Sequence, residues 1–167
     1  MLTVGIPAYR LPREVIYAEI EVIRRLGVEM LTGVAIGEDM TIGALRDQGY
    51  KAFFLGIGSH ECKALGIEGE ELSGVYPGVA FLRDVNLGKE VCLGDRVAVI
   101  GGGNVAMDAV RTALRTGSKA PLVIYRRSEA EMPASFEEIA ECRAEGIKIR
   151  TLTQPVRVLS QNGQLTG

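Results

Sequence analysis

The chain has 167 residues, 47% hydrophobic and 24% charged, and its 19 basic and 21 acidic residues leave a net charge of −2. That length suits one domain or two partial ones. The charges are interspersed, so there is no basic stripe for nucleic acid or an anionic membrane surface, and no apolar run reaches the ~18 residues of a membrane span.

The first segment, "MLTVGIPAYR", lacks the basic flank and apolar core of a signal peptide. In "LPREVIYAEIEVIRRLGVEMLTG", Pro12 suits the first turn of a helix, and Val15, Ile16, Glu19, Ile20, Ile23 and Leu26 recur at helical spacing, leaving one mostly apolar face. Gly27 predicts the stop and "VEML" a short strand. "MTIGALRDQGY" reads as a brief helix and "KAFFLGIG" as a buried strand. Residues 65 to 95 have no sustained period and read as a loop-rich connector, with one short helix near "VAFLRDV". Cys62, Cys92 and Cys142 form no C-x-x-C pair, which excludes a zinc ribbon, a local iron–sulfur motif and a dithiol. An odd cysteine count without a secretory signal fits a reducing cytoplasm. His60, the single histidine, reads as a loop or strand-end residue rather than a catalytic one.

The second half is more regular. "RVAVI" predicts a strand, "NVAMDAVRTALRT" a helix ended by Gly117, and "PLVIY" the next strand. Ser135 with Glu138 predicts a capping box for the helix "FEEIAECRAE", before a strand at "IKIRT". Asn162-Gly163 is a strong short-range hairpin signal. Alternating strands and helices argue for an α/β fold.

Between the first strand and helix of that half stands Gly101-Gly102-Gly103-Asn104-Val105-Ala106. In a dinucleotide fold the first glycine permits the tight turn and the second lets backbone approach a pyrophosphate. A small third residue, here Ala106, lets helix and strand pack closely. Amides and dipole at the helix N-terminus then favour phosphate. A bare glycine turn would need none of the flanking strand–helix–strand context. The next strand ends in Tyr125-Arg126-Arg127 where an NAD site usually carries Asp or Glu. Guanidinium groups bind a 2′-phosphate that a carboxylate would repel, so NADPH is expected over NADH.

"GGGNVAMDAVRTALRTG" followed by "YRRSEAEMPA" resembles the NADPH-binding domain of the glutamate synthase small (beta) subunit family, which includes the flavin module of dihydropyrimidine dehydrogenase. "GIPAYRLPREVIYAEIEVIRRLGVEM" and "GYKAFFLGIGSHE" resemble that family's FAD domain. The resemblance implies a Rossmann-like, three-layer NADPH-binding domain at 93–167 and part of an FAD-binding α/β domain at 1–92. Carried over by position, it implies pyrophosphate contacts at Gly102, Gly103, Asn104 and Val105, with 2′-phosphate contacts at Arg126 and Arg127. It further implies FAD contacts at Arg10 and near Ile36, and a passage of "LGIGSH" close to the flavin. Hydride would pass between NADPH and FAD, then electrons to iron–sulfur clusters on segments outside this chain or on a partner. That partner would be an electron-accepting subunit or domain, such as the glutamate synthase large subunit or a ferredoxin-like protein; homo-oligomerisation is left open. No acid, base, nucleophile or metal ligand is nominated.

The family's first glycine motif, its cysteine-rich region and its closing segment are not in this sequence. The reading is therefore an internal piece of a longer polypeptide, expected to fold but to lack activity alone. Two rival readings are a thioredoxin-reductase-like enzyme, which would need a C-x-x-C before the glycine motif, and a non-catalytic NADPH-sensing module.

Overall fold

The computed structural model describes residues 1–58 and 61–167. The chain forms two compact units, Pro12–Ser59 and Met1–Leu11 with His60–Gly167. These packing units differ from the 1–92 and 93–167 division, which concerns the cofactor each stretch would serve. His60 and the end of the "LGIGSH" loop lie outside the described residues.

In Pro12–Ser59, helix α1 spans Arg13–Arg25, with Pro12 at its N-cap rather than inside its first turn. Gly27, at φ 86°, follows the helix end in the left-handed conformation that glycine accepts without steric cost. Helix α2, Ile42–Asp47, is capped by Thr41, whose hydroxyl accepts the Ala44 N–H at 3.0 Å. The two strands expected at "VEML" and "KAFFLGIG" do not form among the described residues. A strand needs a neighbouring backbone, and neither segment pairs with one. Phe54 consequently stands 95% exposed.

The other unit holds helix α3 (Gly78–Asn86), strand β1 (Arg96–Ile100), helix α4 (Asn104–Arg115) and strand β2 (Ala120–Ile124). A 3-10 turn at Glu129–Glu131, helix α5 (Phe136–Ala144) and strand β3 (Lys148–Arg150) follow. Strands β1, β2 and β3 form a parallel sheet in that order, with Val99 opposite Val123 and Val123 opposite Ile149. Parallel neighbours need long crossovers, which α4 and α5 supply. This is the expected α/β architecture. A hairpin closes the chain, β4 (Ser160–Gln161) and β5 (Gln164–Leu165). Asn162 and Gly163 both take positive φ in its turn, as a two-residue type I′ turn requires.

Helix α4 anchors two cores. One gathers Met107, Val110, Val123, Ile139, Cys142 and Ile147; the other joins Ala109 and Ala113 to Phe81 and Leu82 of α3. Every α4 residue from Ala106 to Ala113 is buried, including Asp108, Arg111 and Thr112. The N-terminal segment is held to the same unit, since Asn86 Nδ2 donates to Val4 O at 3.0 Å. The expected capping box at Ser135 forms only by half. Ser135 Oγ accepts the Glu138 N–H at 3.4 Å, but the Glu138 carboxylate is drawn to Arg10 and Arg111. A Ser–Glu pair of the same spacing does close upstream, where Ser128 N–H and Oγ–H both donate to Glu131 Oε2, at 3.0 and 2.7 Å.

Candidate functional site

At the carboxyl end of β1 the chain must turn sharply into α4. Gly101 takes φ 147° there, and its N–H donates to Ile124 O at 3.0 Å. A Cβ on Gly101 would sit 3.2 Å from Ala106 Cβ, so a small residue at 106 is what lets the helix start this close to the strand. Gly102 is tighter, because a Cβ there would fall 2.6 Å from two carbons of the Tyr125 ring. Gly103 differs in kind. Its φ of −96° suits any residue, and the nearest atom to an added Cβ is Pro133 Cγ at 3.8 Å. Packing within the protein therefore requires Gly101 and Gly102, whereas it leaves room at Gly103.

The turn is braced from the far side. Ala134 N–H donates to Gly102 O at 3.0 Å, Ser135 N–H to Asn104 Oδ1 at 2.9 Å, and Tyr125 O–H to Glu131 O at 2.8 Å. Sequence reasoning missed this brace, although the "MPA" run stands in the stretch that carried the resemblance. Among the described residues, no acceptor takes the N–H groups of Gly102, Gly103, Asn104 or Val105. These four donors lead into α4, where the helix dipole favours an anion.

A cleft of about 300 Å³ opens at the carboxyl edge of the sheet. Ile100 and Gly101 line it from β1, Ile124, Tyr125 and Arg126 from β2, and Thr153, Gln154 and Pro155 from beyond β3. Ala64, Leu65 and Ile67 form its remaining wall, which the sequence showed only as connector. In open α/β sheets ligands bind outside the carboxyl ends of the strands. Arg126 and Arg127 are both exposed, and neither guanidinium is hydrogen-bonded to another described residue. Arg126 lines the cleft. The Arg127 carbonyl accepts the Leu152 N–H at 3.0 Å and so ties the end of β2 to the segment after β3.

The two residues that the resemblance assigned to FAD lie in other surroundings. Ile36 belongs to Pro12–Ser59, in a tight turn bridged to Met40. Arg10 Nη1 donates to both Asp108 oxygens at 2.8 and 2.9 Å, and its Nε lies 2.7 Å from Glu138 Oε1. A network continues from there. Arg111 reaches Glu138 Oε2 at 2.9 Å and Glu145 Oε1 at 2.7 Å, and Arg115 reaches Glu145 Oε2 at 2.7 Å. The Tyr9 ring lies under both cations, 4.0 Å from the Arg115 guanidinium carbon and 4.9 Å from that of Arg111. Arg115 and then Arg111 hold the Glu145 carboxyl down at about 2. Burial raises Asp108 despite Arg10 beside it, pushes the Tyr9 hydroxyl up to about 12 and pushes the Cys142 thiol up to about 11. These groups bind the N-terminal segment to α4 and α5. These bonds engage Nη1 and Nε of Arg10, whose side chain keeps 27% exposure.

Among the described residues, no three His, Cys, Asp or Glu side chains gather to hold a metal, and no helix is long and apolar enough to cross a membrane. The glycine turn, open amide donors and Arg126 beside the cleft fit a dinucleotide carrying an extra phosphate.

The chain is 45% identical over its whole length to the NADP(+)-dependent formate dehydrogenase subunit beta of Moorella thermoacetica, and covers 24% of that protein. It is 35% identical, again over its whole length, to the glutamate synthase [NADPH] small chain of Escherichia coli, and covers 38% of it. It thus spans between about a quarter and two fifths of these relatives. The resemblance to the glutamate synthase small subunit read from the sequence is borne out. FprA from Mycobacterium tuberculosis shares the fold with a TM-score of 0.80 at 17% identity, over 98% of this chain and 52% of that one. Residues 4–166 match the family pattern described as pyridine nucleotide-disulphide oxidoreductase, and the chain belongs to that family.

Proposed function

We propose that the cleft at the carboxyl edge of the β1–β2–β3 sheet binds NADPH in preference to NADH. We propose further that the whole polypeptide passes hydride between NADPH and FAD and sends electrons on to iron–sulfur clusters. The observation that carries the reading is the meeting of two features. Four backbone donors without an acceptor among the described residues enter α4, and the Gly101 turn before them lines one cleft with Arg126. The names of the relatives, which carry NADP or NADPH and the words subunit or small chain, support the cofactor and an electron-accepting partner subunit.

Each part of the site has a separable task. Amides of Gly102, Gly103, Asn104 and Val105 hold the pyrophosphate, and Gly103 supplies the open approach. Arg126, with Arg127 beside it, takes the 2′-phosphate through charge-assisted bonds. Tyr125 and the 132–135 brace keep the turn in place before ligand arrives. When bound, the nicotinamide supplies a two-electron hydride for a flavin, while the protein supplies binding and orientation. Arg10 and Ile36 remain proposals as flavin contacts, and no step is routed through them. Free cysteines at 62, 92 and 142 suit a reducing cytoplasmic setting.

Titration calorimetry tests the reading. NADP+ should bind more tightly than NAD+, and Ala at both Arg126 and Arg127 should erase the difference. Equal affinity for the two nucleotides in the starting protein overturns it.

A further inference from the structure

The cleft wall opposite the sheet edge has its own support. Leu65 N–H and Gly66 N–H both donate to the Glu70 carboxylate, at 2.7 and 2.8 Å to its two oxygens. One side chain thereby holds a loop whose Ala64, Leu65 and Ile67 face the cleft, and Gly66 takes φ 72° to make the turn. At its other end the loop is stapled to the segment after β3. Glu68 and Arg157 pair backbone to backbone in an isolated parallel bridge, and Val158 N–H donates to Glu68 O at 2.8 Å. Gly69, buried between them at φ 84°, has no room for a side chain, since a Cβ would stand 2.7 Å from Val158 O. The cleft residues Thr153, Gln154 and Pro155 lie just before that staple. Two walls of the cleft are therefore joined through Gly69 and Glu68, and one of them is shaped by Glu70.

We infer that Glu70 is a positioning residue for the nucleotide, holding the 64–67 wall at the spacing at which the cleft closes on its ligand. The inference rests on the reading of the cleft as a dinucleotide site. Charge-assisted bonds from two adjacent amides fix the loop before ligand arrives. Without the carboxylate those amides turn to water, Gly66 loses the bonds that hold its turn, and the Leu65–Ile67 wall swings outward. The same two amides also hold the Glu70 carboxyl below its ordinary range.

The test uses the protein with all of its native flanking sequence and the probes NADP+ and NAD+. Glu70→Ala should weaken both nucleotides by the same factor, about tenfold, because a displaced wall costs positioning rather than 2′-phosphate recognition. Gly69→Ala, which strains the staple without touching the carboxylate, should do likewise. Amide exchange at Leu65 and Gly66 should quicken in Glu70→Ala and return toward the starting rate in Glu70→Gln, which keeps one acceptor oxygen. If the alanine variant fails to fold, Glu70→Gln takes its place in the binding measurement, with a smaller equal loss expected. A starting protein that binds neither nucleotide overturns the dinucleotide reading and this inference with it. Binding by the starting protein that these variants leave unchanged, or a loss confined to NADP+, overturns this inference alone.

Discussion

The Tyr125 ring occupies the space that a side chain on Gly102 would need, with two ring carbons 2.6 Å from the position of an added Cβ. Gly102→Ala must displace the ring or the turn, and overpacking of this sort costs about 1–3 kcal/mol. Gly103→Ala meets nothing closer than 3.8 Å, so its stability should stay within about 0.5 kcal/mol of the starting protein. Its NADP+ affinity should nevertheless fall, because in the proposed site the open space at Gly103 is where the phosphate approaches. Melting curves and titrations on the pair check this. A stable Gly103→Ala with full NADP+ affinity would move the phosphate away from Gly103.

Arg126 and Arg127 are adjacent but not equivalent. Only Arg126 lines the cleft, so Arg126→Ala should lose the larger share of NADP+ preference, each lost charge-assisted bond being worth about 1.5–3 kcal/mol. Arg127→Ala should lose less, and NAD+ affinity should barely change in either variant. The comparison is a ratio of dissociation constants, NADP+ against NAD+, for the two single variants. A larger effect at Arg127 would mean that the 2′-phosphate sits outside the cleft.

Arg10→Ala removes the cation between Asp108 and Glu138. Breaking a fully buried pair costs more, but Arg10 keeps a 27% exposed side chain, so about 2–3 kcal/mol of stability should be lost. Lysine should restore part of it, since it supplies one charge without the two-pronged geometry. Denaturant titration reads this directly. A variant as stable as the starting protein would show that the N-terminal segment is held by other contacts.

Glu145 contributes to the acid limb of stability. Its carboxyl lies at about 2 in the folded protein against 4.5 ordinarily, held down by Arg115 and then Arg111. The unfolded chain therefore binds the proton first, and this contribution is complete above about pH 4.5 and fades as pH falls toward 2. Glu145→Gln should melt lower than the starting protein near neutral pH, and the gap should shrink between about pH 4.5 and 2.5. A gap that stays constant across that window would exclude Glu145 as its source.

The half of the fold with strong local signals was legible before any coordinates. "RVAVI", the glycine turn and "NVAMDAVRTALRT" each depend on neighbours close in sequence, and β1, Gly101 and α4 stand where they were expected. "KAFFLGIG" misled because β-forming composition says nothing about whether a partner backbone is present. The cleft wall at 64–70 was hidden for a related reason: its partner, Val158, is far away in sequence. Glu138 shows a third limit. Its position spelled a capping box, yet a buried Arg111 competes more strongly for the carboxylate than a backbone amide does.

The burial of α4 from Ala106 to Ala113 has a mechanical consequence. A helix gripped by α3 on one flank and by α5 and β2 on another cannot slide along its axis like a piston to meet a ligand. In the proposed site a phosphate would meet donors whose place is already set, their ordering completed when the chain folds rather than when the nucleotide arrives. Small volume changes deep in that grip should therefore be felt at the far end of the helix. Cys142, whose Sγ lies 3.5 Å from Met107 Sδ, is one such place, and swelling it to leucine should loosen nucleotide binding from a distance.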